Sequence, residues 1–179
     1  EGSGKSTQAR LFVENLKAAG HDAVLTREPG GTPEAEKIRS LLVDSDGGAW
    51  SPFEEALLLF AGRSHHYRNF IKPAVDEGKI VICDRFTDST IAYQGYGLGL
   101  GYEKIQALNA LTMNEIKPDK TFLLDLSVED GLARSKKRLS QENSNEDKYE
   151  NLDISFHERV RSGFLELANN ETERFIVLD

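Results

Sequence analysis

The stretch Gly2-Ser3-Gly4-Lys5-Ser6-Thr7 constrains this chain more than any other, because it reads as the end of a phosphate-binding loop of the form GxxxxGK[ST]. The first glycine of that pattern would fall two residues ahead of Glu1, outside the given sequence. Gly2 and Gly4 let the backbone curl so that successive N–H groups converge on one anion. Lys5 is a point charge for the outer phosphates, and the Ser6 or Thr7 hydroxyl suits Mg²⁺. A helix opening near Lys5 would add its positive end to the same anion. The alternative is a Gly/Ser-rich turn that merely precedes a helix. A loop of this kind normally follows a buried strand, so at least one strand is expected before residue 1. More chain is expected after the strand-like run Arg174–Asp179.

At 179 residues the expectation is one domain. The net charge of −8 argues against general nucleic-acid binding, so an anionic ligand must be met by a local cationic site. A single cysteine allows no internal disulfide and fits a reducing compartment. No apolar run approaches the ~20 residues of a transmembrane helix, so no membrane association is expected.

Periodicity predicts helices over 5–19, 33–43, 53–77 with an interruption at Pro73, 102–115, 128–138 and 153–168, with another beginning at 88–94. Short apolar runs predict strands at 23–26, 79–84, 120–125 and 174–179. Gly95, Gly97, Gly99 and Gly101 predict a mobile loop over 95–101. Strands alternate with helices, which predicts an α/β fold with a doubly wound parallel sheet. The polar stretch 140–151, following a basic cluster, reads as a lid, with an ordinary surface loop as the alternative.

Two apolar runs end in aspartates, Asp84 and Asp125. Asp84, followed by Arg85, is the better candidate for holding Mg²⁺ through water; Asp125 could equally open the next helix. Arg27 and Arg63 are further cationic candidates. Arg134 and Arg138 lie one turn apart on a helix, while Lys136 and Lys137 read as a solvated face. Cys83 reads as core, Trp50 as packing, and His21, His65 and His66 as structural or surface residues. Together these predict an ATP-dependent phosphoryl-transfer or NTP-hydrolysing enzyme. A second anion site favours a kinase acting on a phosphorylated acceptor.

The stretches EGSGKSTQ, TREPGGT, LLLFAGRSHH, ICDRFTDSTIAYQG and SFHERVRSGF, in this order, resemble bacterial thymidylate kinases over nearly the whole chain. The resemblance implies one P-loop kinase domain over 1–179 with a lid at about 134–151. It also implies a five-stranded parallel sheet, whose first strand precedes this sequence, and a cytoplasmic homodimer. The implied reaction transfers the γ-phosphoryl of ATP to dTMP, giving dTDP, with Mg²⁺. Gly2, Ser3, Gly4, Lys5, Ser6 and Thr7 match the ATP site, with Ser6 and Asp84 toward the metal. Glu1 matches an acidic residue near the 3′-hydroxyl of dTMP, Phe60 the aromatic stacked on thymine, and Arg63 an arginine on the base. Arg85 matches the arginine on the acceptor phosphate, Thr90 and Gln94 fall at the base, and Tyr93 crowds the 2′ position; Arg27 joins the acceptor side as an added cation. The loop carries no arginine, which resembles the lid-arginine type and points to Arg134 or Arg138 as catalytic beside Lys5 and Arg85. Asp147-Lys148-Tyr149-Glu150 departs from the Asp-Arg pair common in the family's lid, and lysine does not replace a bidentate arginine. The rival readings are a kinase for another nucleoside monophosphate and an ATP-driven switch. No NKxD-type guanine motif appears.

Overall fold

A computed structural model describes residues 2–44, 47–114, 116–142 and 148–179 of the chain. Helix α1 (Lys5–Ala18) starts directly after Gly4, which takes φ 81° and offers no side-chain cap. Its first N–H groups are thus left to the phosphate loop rather than to a capping hydroxyl. Strand β1 (Ala23–Arg27) pairs in parallel with β2 (Ile80–Asp84), placing Arg27 opposite Asp84 at the carboxyl ends. Strand β3 (Thr121–Leu124) pairs in parallel with β4 (Phe175–Leu178). Carboxyl ends of parallel strands are where open α/β sheets place their ligands.

The described residues therefore form two parallel pairs, not one five-stranded sheet. Leu25 and Phe122 are 41% and 50% exposed. Helix α1 packs on β1 and β2, and its Phe12 meets Phe122 of β3 edge-on at 5.7 Å.

Helix α2 (Pro33–Val43) is capped by Thr32, whose hydroxyl accepts from Ala35 N–H. Helix α3 (Pro52–His66) opens with a capping box: Ser51 and Glu54 each accept from the other's backbone N–H. The expected interruption falls before Pro73 rather than at it. A π-turn occupies Tyr67–Ile71, with Lys72 N–H donating to Tyr67 O, before α4 (Lys72–Asp76) resumes. Widening the turn is one way a helix admits a proline, which lacks an N–H and crowds the preceding carbonyl.

The glycine-rich stretch is not the mobile loop expected at 95–101. After α5 (Thr87–Thr90), a π-helical segment runs Ile91–Gly97, and Gly95 and Gly97 are buried. A Cβ on Gly97 would lie 2.6 Å from the Phe156 ring, and one on Gly163 2.7 Å from the Tyr96 ring. These glycines let the segment dock closely on α8 (Ile154–Asn170). Between them lie α6 (Tyr102–Met113) and α7 (Val128–Glu142). The main core joins α3, the π-segment, α6, α8 and β4 through Phe60, Ile91, Ile105, Leu167 and Phe175.

Candidate active site

The carboxyl ends of β1 and β2, the start of α1, and α3 and α7 surround a cleft of about 510 Å³. Gly2 and Gly4 to Thr7 line one part of it, while Ser3 is half-buried and is not a lining residue. Ser6 Oγ donates to Asp84 Oδ2 at 2.5 Å. The other carboxylate oxygen, Asp84 Oδ1, is buried without a hydrogen-bond partner. A buried carboxylate oxygen left open beside a serine hydroxyl is the donor set a hard divalent cation prefers.

Arg85 follows Asp84 and takes φ 71°, a conformation unusual for a side chain of its size. The Cys83 thiol donates to Arg85 O at 3.1 Å across this turn. Burial pushes that thiol well above its usual pKa, which fits a core residue rather than a nucleophile. Arg85 Nη2 donates to Tyr93 Oη at 3.1 Å, and its guanidinium lies 4.9 Å from the Tyr93 ring centre. Backbone strain of this kind collects where geometry serves a ligand.

Arg63 is 3% exposed. Its Nε donates to Glu28 at 2.6 Å and its Nη2 to Thr90 Oγ1 at 3.0 Å, while Nη1 is buried with no partner. Glu28 also meets His66 Nδ1 at 3.0 Å. A carboxylate next to an arginine accepts only, so Nδ1 carries a hydrogen, and Nε2 lies 2.7 Å from Thr26 Oγ1. Glu28, His66 and Cys83 bring three potential ligand atoms within 4.8 Å, but the carboxylate already serves Arg63 and His66. The sequence reading missed Glu28 and His66 as the frame of Arg63. Their one signal was a histidine three residues after Arg63 in a helix facing the TREPGGT loop.

Phe60 does not sit where the resemblance would place a stacking ring. It is 1% exposed, packs in the core, and is covered by the Arg63 guanidinium at 4.9 Å. Leu59 lines the cleft instead. Glu55, Leu59 and Arg63 recur every four residues and form the face of α3 that carries the site. Phe60→Ala should therefore cost ~3–5 kcal/mol of stability, as core aromatic truncations do. Leu59→Ala should cost little stability and raise KM for the acceptor. Thermal unfolding alongside steady-state kinetics separates the two, and a Phe60→Ala protein of normal stability would contradict this placement.

Arg27 lies at the rim, 54% exposed and paired with Glu36 at 3.1 Å. Thr90, Tyr93 and Gln94 all line the cleft. Asp125 does not join them. Arg161 holds it through two hydrogen bonds of 2.7 Å, and these keep its carboxyl below the usual range. It is a structural ion pair between the end of β3 and α8. Glu1 and Asp147 lie outside the described residues.

Helix α7 packs against the phosphate loop so closely that a Cβ on Gly2 would fall 2.1 Å from Gly131 O. Arg134 and Arg138 of this helix line the cleft, and Lys136 and Lys137 are exposed to solvent. Arg138 pairs with Glu150 at 3.7 Å, and Ser135 Oγ donates to the same carboxylate at 3.0 Å. Among the described residues no carboxylate pairs with Arg134. Lys148 reaches back to Glu55 at 2.7 Å, so it is not a cation facing the loop.

A phosphate loop at the start of a helix, an aspartate and a strained arginine ending the next strand, and two helical arginines in one cleft define a P-loop phosphotransferase with two anion sites. The comparisons agree. The family model for thymidylate kinase matches residues 1–179. A thymidylate kinase from Geobacter sulfurreducens is 48% identical over 180 residues, covering 100% of this chain and 84% of that protein. One from Desulfosudis oleivorans is 48% identical over 181 residues, covering 100% and 85%. The crystal structure of thymidylate kinase from Ehrlichia chaffeensis superposes with a TM-score of 0.79 at 38% identity, covering 99% of this chain and 87% of that one. The chain belongs to the thymidylate kinase family, with the α/β fold of P-loop NTPases. It is a nucleoside monophosphate kinase that phosphorylates dTMP to dTDP with ATP as co-substrate.

Proposed function

We propose that the cleft holds both substrates, with ATP phosphates on Gly2–Thr7 and dTMP between Arg85 and the Arg63 face of α3. The observation that carries this reading is that Lys5 and Ser6 line the same cleft as Arg85 and Arg63, whose Nη1 is a buried donor still without an acceptor. Lys5 and the loop N–H groups bind and orient the donor phosphates. Arg85 binds the acceptor phosphate, and that phosphate is already anionic, so no strong general base is required. Arg63 and Gln94 read the base, Thr90 holds Arg63, and Leu59 supplies an apolar wall. Tyr93 crowds the sugar, Arg27 adds charge at the rim, and Glu1 belongs to the acceptor side.

Mg²⁺ fits this site: Ser6 Oγ and Asp84, directly or through water, would hold it, and it would draw charge from the transferring phosphates. Arg134 and Arg138 place the catalytic charge in the lid segment at about 134–151. A fifth strand ahead of Glu1, seated between β2 and β3, would cover the exposed strand faces; the cytoplasmic homodimer belongs to the same reading. No described helix is long and apolar enough to cross a membrane.

The test is an acceptor panel. ADP formation with dTMP should exceed that with dCMP or AMP by at least ~10²-fold, because a site built to hydrogen-bond its substrate strongly rejects one that cannot match. Equal rates with all acceptors would overturn the pocket assignment. Acceptor-independent turnover would favour the ATP-driven switch.

A further inference from the structure

Glu55 belongs to none of the roles above, yet its carboxylate draws donors from two distant parts of the chain. It sits in the first turns of α3 at 2% exposure. A buried carboxylate is tolerable only when its charge and lone pairs are met. Three donors meet this one. Gln94 Nε2 lies 2.8 Å from Oε2, Tyr149 Oη 2.9 Å from Oε2, and Lys148 Nζ 2.7 Å from Oε1. Gln94 Nε2 also lies 3.0 Å from Tyr149 Oη. None of the three is a sequence neighbour of Glu55. Gln94 comes from the π-segment of the base pocket, and Lys148 and Tyr149 come from the turn at 148–150.

The chemistry fixes orientations. An ionised carboxylate is acceptor only, so the NH₂ end of Gln94 must face Glu55. One amide hydrogen goes to Glu55 and the other to Tyr149, and the Tyr149 hydroxyl in turn donates to Glu55. Burial and the nearby Glu55 charge push the Tyr149 hydroxyl pKa well above its usual range, so it stays a donor. The oxygen of Gln94 is then its remaining polar atom, an acceptor. An acceptor suits the ring N–H of a thymine-type base and opposes cytosine, whose ring nitrogen there is itself an acceptor.

The same turn is braced on its other side. Glu150 accepts from Ser135 and pairs with Arg138, both on α7. A continuous set of contacts thus runs from an arginine of α7 through the turn to Glu55 and on to the amide at the base.

We propose that Glu55 is a positioning residue that sets the amide of Gln94 for a pyrimidine bearing a ring N–H and, through Lys148 and Tyr149, holds the 148–150 turn against the acceptor pocket. This deepens the acceptor-site reading and rests on it. It also accounts for lysine at position 148: the position answers a buried carboxylate on α3, a point-charge task that does not need a guanidinium fork.

The experiment is a double-mutant cycle on the full chain, with Glu55→Gln, Lys148→Met and the double variant assayed on dTMP and dCMP. Each single substitution should lower kcat/KM for dTMP by ~10- to 100-fold, the effect of removing a hydrogen bond to a charged group. The double variant should fall no more than about 3-fold below the worse single one, because both remove the same contact. Glu55→Gln, but not Lys148→Met, should also narrow the preference for dTMP over dCMP, since an amide at position 55 lets Gln94 turn over. A merely structural glutamate would leave that preference in place. Multiplying effects in the double variant, or an unchanged preference in Glu55→Gln, overturns the proposal. If circular dichroism shows that Glu55→Gln does not fold, the cycle of Lys148→Met with Tyr149→Phe is read by the same rule of non-additivity. Arg63→Gln is the control for the pocket. If it leaves KM for dTMP unchanged, the acceptor-site reading fails; if it raises KM while the Glu55 cycle is additive, only the Glu55 proposal fails.

Discussion

Replacing Arg85 by alanine should lower turnover of dTMP by about 10³-fold or more, the scale of a positioned arginine in phosphoryl transfer, while ATP affinity stays within a few-fold of the parent. The expectation comes from how much of the local structure is committed to this one side chain. Its backbone stands at φ 71°, a conformation that costs ~1–3 kcal/mol for a residue with a Cβ. The preceding strand ends at Asp84, and the Cys83 thiol ties back to the Arg85 carbonyl. The guanidinium is then stacked on Tyr93 and bonded to its hydroxyl. A cation oriented from two directions before substrate arrives needs little reorganisation when the acceptor phosphate binds. Arg85→Lys should recover little, because an ammonium can neither span two phosphate oxygens nor keep the planar stack on Tyr93. Steady-state kinetics with dTMP and calorimetric titration of ATP check both halves. Turnover within ten-fold of the parent would remove Arg85 from the reaction centre. Alanine keeps a Cβ, so the strain at φ 71° stays in that variant, and only Arg85→Gly would ease it.

What was legible in the chain beforehand follows from the range of the interactions. The phosphate loop, the strand runs and the capped helices are local patterns, and β1, β2 and α2 fall within a residue or two of their expected bounds. Thr32 with Pro33 marks the start of α2 because both signals act within one turn. The features that were not legible depend on partners far along the chain. Gly97 looks like a loop residue, but the Phe156 ring and Val160 make it a packing glycine, as the Tyr96 ring does for Gly163. Asp125 looks like Asp84, since both end apolar strands, and Arg161 on a later helix separates their roles. Phe60 and Leu59 differ by one position on α3. Both are apolar, so periodicity cannot tell which faces the core and which the cleft. Glu55 is one of two adjacent glutamates: Glu54 closes the capping box, and Glu55 takes a lysine 93 residues away. Only the second needs the folded chain to be read. The sheet is a different case. Among the described residues β2 does not pair with β3, a long-range fact that no local pattern states.

Arg134→Ala should reduce kcat by ~10³- to 10⁵-fold with little change in KM for either substrate, the signature of a charge used chiefly in the transition state. Arg138→Ala should cost far less, and mainly in KM. Both arginines line the cleft on one helix, so position alone does not rank them. Their partners do. Arg138 faces Glu150, which is 8% exposed and also accepts from Ser135, so part of its charge is already answered within the protein. Among the described residues nothing anionic answers Arg134. Its Cβ lies 3.1 Å from where a side chain on Gly2 would begin, which puts the arginine beside the phosphate loop itself. An uncompensated guanidinium there gains most when charge spreads over the transferring phosphoryl, which is the condition for lowering the barrier rather than tightening the ground state. Residues 1–7 carry no arginine that would replace it. Removing Arg138 loosens the brace between α7 and the 148–150 turn, and substrate binding should register that loss first. Measuring kcat and KM for the two alanine variants separates these roles. Should Arg138→Ala show the larger fall in kcat, the transferring phosphoryl is met by Arg138, and Glu150 must give up its ion pair during each turnover.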